Sequence, residues 1–298
     1  MAVKNFNRII DITLTQRLNL GIAGMKTGAV DHFIRCPRAG RKPDIEISGQ
    51  IQPSDQVSLF EIKIKNLYDT KIVQDLTQVQ VVAGYEENSS AVFTGSPINV
   101  YTNGPGPDRE TVIQCTIANF GDWTGKTIKL DLKKGWTLKQ AVTQINNALN
   151  FDEPAVSVKV ATLTAQANWS FTGTAKEALH ILTSKFFPGN TAFVMNNRIT
   201  ITAQDGVEFV QTHEIPFLST APQFSGNSVT LTAPWNPAIK PNDRVRFSSN
   251  YYTAENSLLF GSINQTTEIV VTQIGFSFGT TGQTNQMTIQ GTLVGGSK

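Results

Sequence analysis

Few side chains in this sequence are of the types and spacings that do chemistry. The three histidines are His32, His180 and His213, and they stand far apart. His213 is followed by Glu214, but no second histidine lies at the spacing a zinc-binding helix needs. Cys36 and Cys115 match no metal or redox spacing, which leaves one disulfide or two free thiols open, and a reducing compartment favours free thiols. No Gly-x-Ser-x-Gly elbow is present, and no glycine-rich loop ends in Lys-Ser or Lys-Thr. Gly104, Pro105 and Gly106 make a poor phosphate cradle, because proline removes a backbone donor. Glu86 and Glu87 are neighbours in a predicted turn, so they point apart instead of straddling a substrate. The sequence therefore predicts no catalytic residue, no cofactor-binding residue and no metal site.

One cluster points to binding. Arg35, Arg38, Arg41 and Lys42 fall within nine residues, 35–43, with no acid among them. Such a loop suits an acidic protein surface or a phosphate backbone, or it is a solvated hairpin tip. Pro37 and Pro43 stiffen it and lower the entropy lost on docking, which favours a partner contact. It has no interleaved aromatic residues for stacking on bases.

The elements that would carry these residues are mostly strands. The 298 residues hold 25 Lys and Arg against 23 Asp and Glu, and charged residues make up 16%, well below the roughly 25% of an average domain. Threonine, 34 residues, replaces much of the charge and suits half-buried pleated surfaces. Near-neutrality argues against a DNA-coating protein. No continuous apolar run of leader or membrane-spanning length occurs, so the sequence predicts synthesis in a cytoplasm and no membrane insertion of its own.

Period-two alternation places Ile10, Ile12 and Leu14 on one face, and Phe60, Ile62 and Ile64 opposite Glu61, Lys63 and Lys65. Further strands are predicted at 44–48, 79–81, 91–95 and 111–117. Residues 121–205 change character, in the order strand, helix, strand, strand, helix, strand, strand. Thr137 and Gln140 form a capping box for a helix burying Leu138, Val142, Ile145 and Leu149 and ending at Asn150. Residues 156–160 alternate as a strand, Thr174 caps a second helix, and a hairpin turns at Asn196 and Asn197. Strands return at 228–232, 244–247, 268–274 and 286–293. The expected fold is mainly β with an α+β insertion: two tube-like barrel or sandwich domains, 1–120 and 206–298, flanking a small α+β domain, 121–205. Trp123 and Trp136 are expected to pack near a domain junction.

Three stretches carry a resemblance. Residues 44–49, 60–67, 81–86, 92–95 and 106–111 resemble the N-terminal domain of baseplate hub proteins of contractile-tailed bacteriophages. The segment from Thr174 through the hairpin at Asn196 is similar to that family's middle unit. Residues 239–247 and 269–278 look like its C-terminal barrel. The resemblance implies a non-enzymatic homotrimer in the virion tail baseplate, assembled in the host cytoplasm. Three subunits would present six tube-like β domains around a channel, adapting a six-fold tail tube to a three-fold spike. The implied partners are further copies of the chain, the tail tube protein or tube initiator above, the spike below and other baseplate proteins around. DNA would pass without specific binding, and weakly charged strand faces suit that because each phosphate contact would resist passage. The lysozyme-like region fused to some hubs has no counterpart here. Two alternatives stand beside this reading. One is a hexameric tube-initiator or distal-tail component. The other is a β-architecture polysaccharide enzyme that would use two acids and exposed tryptophans drawn from Trp123, Trp136, Trp169 and Trp235.

Overall fold

Alternation builds the first strands as the sequence predicts. In β1 (Arg8–Leu18), Ile10, Ile12 and Leu14 are buried. In β4 (Leu59–Lys65), Phe60, Ile62 and Ile64 are buried, while Glu61 and Lys63 are half-exposed and Lys65 exposed. The computed structural model describes residues 8–18, 28–36, 44–52, 58–67, 70–85, 88–104, 109–117, 120–151, 154–156, 158–195, 198–203, 211–248, 267–281 and 285–294.

The remaining strands of the first region are β2 (Gly28–Cys36), β3 (Ile45–Ile51), β5 (Leu76–Tyr85), β6 (Asn88–Asn103) and β7 (Glu110–Ile117). β2 exceeds what the sequence predicted, because exposed Phe33 sits on its wet face and blurs the alternation. It also places Arg35 and Cys36 at a strand end.

The middle segment begins with a short helix, α1 (Phe120–Gly125), and β8 (Thr127–Leu132). It continues through α2 (Leu138–Leu149), β9 (Ala155–Val156), α3 (Val158–Ala161), β10 (Trp169–Thr174), α4 (Ala175–Ile181), β11 (Asn190–Met195) and β12 (Arg198–Ala203). The capping box at Thr137 is formed, with Gln140 Oε1 accepting from Thr137 N at 2.8 Å, and Asn150 closes α2 in the left-handed conformation. Thr174 and Glu177 repeat the arrangement at α4, which a π-helical turn extends over Leu182–Phe186. The strand expected over 156–160 is instead a two-residue strand followed by α3. Five alternating residues cannot separate strand from helix, and the helical turn packs Val160 into the local core.

The last region holds β13 (Thr212–Ile215), β14 (Gln223–Ser225), β15 (Ser228–Pro234), β16 (Arg244–Phe247), β17 (Thr267–Gly279) and β18 (Asn285–Leu293). One sheet joins it to the first, in the order β14-β15-β18-β17-β3-β4-β7-β6-β5-β1-β2, with β16 on β17 and β13 on β16. The junction is the antiparallel pair of β3 and β17, running from Ile274 opposite Ile51 to Gly279 opposite Glu46. Both β regions also share a core. Phe60 lies against Phe93 and Phe276, and Tyr85 and Trp235 both meet Phe278. The middle segment has a separate core around α2, in which Trp136 contacts Trp169, Phe186 and Phe187. The fold is thus mainly β with a small helical insertion.

Candidate interaction surfaces

One face of the long sheet covers the core and the other is wet. On the wet face a single register row crosses six strands: Gln286, Ser277, Ser48, Glu61, Gln114 and Asn99, every one polar. The row is bonded sideways. Asn99 Nδ2 donates to Gln114 Oε1 at 3.2 Å, and Gln114 Nε2 donates to Glu61 Oε2 at 3.1 Å. Ser277 Oγ donates to Glu46 Oε1 at 3.2 Å.

The charges on this face pair within it. Lys63 Nζ lies 3.2 Å from Glu61, and Lys65 Nζ lies 2.7 Å from Asp44, which also accepts from Thr281 Oγ1. Arg35 grips Asp11 through two bonds, 3.0 and 2.9 Å. Arg244 meets Glu268 at 3.1 Å, and Arg246 lies 3.6 Å from both Glu214 and Glu268. Titration follows the pairing. The Gln114 bond, outweighing partial burial and helped by Lys63, holds the Glu61 carboxyl below its usual range. Burial alone would raise Asp44, but Lys65 and Thr281 together bring it below the ordinary value. Lys63 and Lys65 are raised by Glu61 and Asp44 respectively. Each such pair adds less than about 1 kcal/mol at an exposed site. Their larger consequence is a face with little net field.

The sequence-predicted residues distribute as follows. Arg35 stands at the end of β2, tied to Asp11, while Arg38, Arg41 and Lys42 lie outside the described residues. Cys36 and Cys115 are both buried and neither is in a disulfide, and burial pushes the Cys115 thiol up to about 12. His32 Nε2 on β2 contacts Gln16 Oε1 on β1 at 3.0 Å, and His213 Nε2 on β13 contacts Asp243 Oδ2, just before β16, at 3.0 Å, both as framework pairs. Among the described residues no three His, Cys, Asp or Glu gather as metal ligands. No helix among them is long and apolar enough to cross a membrane. All four tryptophans are buried, so none offers a ring face to a sugar.

A second surface escaped the sequence reading. The turn between β8 and α2 carries Lys133 and Lys134, and the first turn of α2 carries Lys139; all three are exposed. They border a cleft of about 1050 Å³ with Asp131, Trp136, Thr137, Gln140, Thr143, Gln144 and Val156 among its walls. Five lysines against one acid over residues 126–139 were the available signal.

The sequence matches no family model, and no curated protein matches it. The fold, in contrast, is similar over nearly its whole length to a tail protein from Neisseria meningitidis, at 10% identity, TM-score 0.60, covering 95% of this chain and 96% of that one. It is similar to a 43 kDa tail protein of a Shewanella oneidensis prophage, at 10% identity, TM-score 0.56, covering 96% and 98%. It is also similar to an Escherichia coli component of the type VI secretion system, itself described as structurally similar to the T4 phage tail proteins gp27 and gp5, at 10% identity, TM-score 0.52, covering 86% and 76%. The chain therefore has the fold of phage tail and related injection-machine proteins.

Proposed function

We propose that this chain is a structural subunit of a phage tail baseplate or related contractile machine, acting as its hub. Three copies form a ring around a channel, with tube protein or tube initiator on one side, a spike on the other and baseplate proteins outside. The observation that carries the reading is the end-to-end likeness to tail proteins, which spans both β regions and the α+β unit between them. The covalent chain supplies two β regions in one sheet, so a trimer presents six of them, the number a six-fold tube requires. The self-paired wet face lines the channel, where DNA moves past without being held. The chain contributes structure and not catalysis, and the loop of Arg35, Arg38, Arg41 and Lys42 contacts a neighbouring protein. Assembly takes place in the host cytoplasm, and the finished protein resides in the virion tail.

Native mass by light scattering behind a sizing column tests this. The expected value is about 97.5 kDa, three copies of 32.5 kDa. A hexamer at every concentration would replace the hub by a tube-initiator role. A monomer that stays monomeric when mixed with tube and spike proteins would reject the ring.

A further inference from the structure

We infer that the cleft at the mouth of the α+β unit binds an acidic, partly apolar segment of another protein. The inference stands on the cleft itself and does not depend on the ring.

Charge on the cleft rim favours an anionic ligand. Of the lysines bordering the cleft, Lys133 has its acid, Asp131, at 3.4 Å. Lys134 and Lys139 have no ion pair among the described residues. The first turn of α2 holds no acidic residue, so the positive end of a twelve-residue helix adds to the same side. Most cations on the wet face of the sheet are matched by acids within hydrogen-bonding or ion-pairing distance, whereas here the cationic potential is left open to an incoming anion.

The backbone of the rim is rigid. Gly135 adopts φ +93°, open to glycine at no steric cost, and Trp136 N donates to Lys133 O at 3.2 Å to close the turn. Lys134 N donates to Asn168 Oδ1 at 2.7 Å, Gly135 N to Ala165 O at 2.9 Å, and Leu138 N to Leu163 O at 3.0 Å. The lysine backbones are thus fixed before any ligand arrives, which lowers the entropy cost of binding.

The lining favours protein over nucleic acid. Half-buried Val156 and Ala161 give the cleft an apolar wall, which suits the side chains of a peptide. Bases need an exposed ring to stack on. Trp136 is 3% exposed, packed against Trp169, Phe186 and Phe187, with its indole N–H donated to Ala167 O at 3.0 Å. Its stacking faces are already used.

The test is fluorescence anisotropy on the full chain. The probe is a labelled peptide of about a dozen alternating Glu and Leu residues, and the comparison is a single-stranded oligonucleotide of equal charge. The parent chain is expected to bind the peptide, and Lys133→Glu with Lys134→Glu and Lys139→Glu to weaken binding about tenfold or more. Lys63→Glu with Lys65→Glu on the sheet is expected to leave it unchanged. Far-UV circular dichroism checks the fold of each variant, and Lys134→Ala alone serves as a milder substitution, expected to weaken binding in the same direction. Absence of peptide binding at low salt would overturn the inference. So would equal binding by the charge-reversed and parent chains, or oligonucleotide binding as tight as the peptide's.

Discussion

On the wet face of the long sheet, Glu61 pairs with Lys63 along β4 and bonds across to Gln114, itself bonded to Asn99 on the next strand, whereas beside α2 Lys134 and Lys139 stand exposed with no acid paired to them among the described residues. Both surfaces are polar and both are built on well-packed cores. They differ in whether their charges are spent internally. Cross-strand neighbours are held a few ångströms apart by the pleat, so opposite charges on adjacent strands find each other without a partner molecule. A turn leading into a helix N-terminus offers no such neighbour, and the same residue type is left available. Composition, near neutral overall, hides this division of labour.

The comparison can be broken hardest from beneath the sheet. Ile62 is 1% exposed and sits one residue from Lys63. Ile62→Asp strands a carboxylate in the shared core and is expected to cost about 3–5 kcal/mol, with loss of soluble protein. Lys63→Gln, on the opposite face, is expected to change stability by less than about 0.5 kcal/mol. Urea denaturation of both variants reads the difference, and similar costs would mean the two faces are wrongly assigned.

Gly95 gives a second, smaller break. A Cβ there would lie 1.9 Å from the Thr116 carbonyl oxygen and 2.3 Å from Phe93 Cζ. Gly95→Ala therefore forces β6 away from β7, at about 1–3 kcal/mol, with faster amide exchange in both strands.

Thr137→Ala acts only on the α+β unit. It removes the acceptor for Gln140 N and is expected to cost about 1 kcal/mol. Amide exchange should accelerate in the first turn of α2 and stay unchanged in β3, β4 and β17, because the two cores are separate.

The smallest effect is the pH dependence of the paired face. Asp44 and Glu61 titrate below their usual range when folded, so their contribution is present above the ordinary carboxylate value of about 4 and is lost as pH falls through the lower folded values. Each contributes less than about 1 kcal/mol because both are partly solvated. Denaturation midpoints at neutral pH and near pH 3 should show a smaller acid-induced drop in Asp44→Asn with Glu61→Gln than in the parent.

Much of the sheet was legible in the sequence because period-two alternation is strong where one face is wet and the other packed. β1, β3 and β4 show this. The caps of α2 and α4 were legible because Thr137 with Gln140, and Thr174 at the start of its run, are local signals. What stayed hidden is non-local. No turn announces that β17 pairs with β3, more than two hundred residues earlier, or that β13 runs parallel to β16. β2 was hidden by Phe33, and α3 by the shortness of its pattern. The cleft is not legible in the sequence because Lys133, Lys134 and Lys139 converge only through the turn at Gly135. The loop at 35–43 is the denser run of cations in the sequence, yet its first cation, Arg35, is already paired with Asp11.

Under the proposed function, the wet sheet face lines the channel of a three-fold ring. Thr288 is exposed on that face, and the native thiols of Cys36 and Cys115 are buried. Thr288→Cys, labelled with maleimide gold and imaged by electron microscopy of the purified oligomer, reads the claim directly. The account predicts ring-shaped particles with gold gathered at the centre. Gold spaced around the outer rim would contradict it.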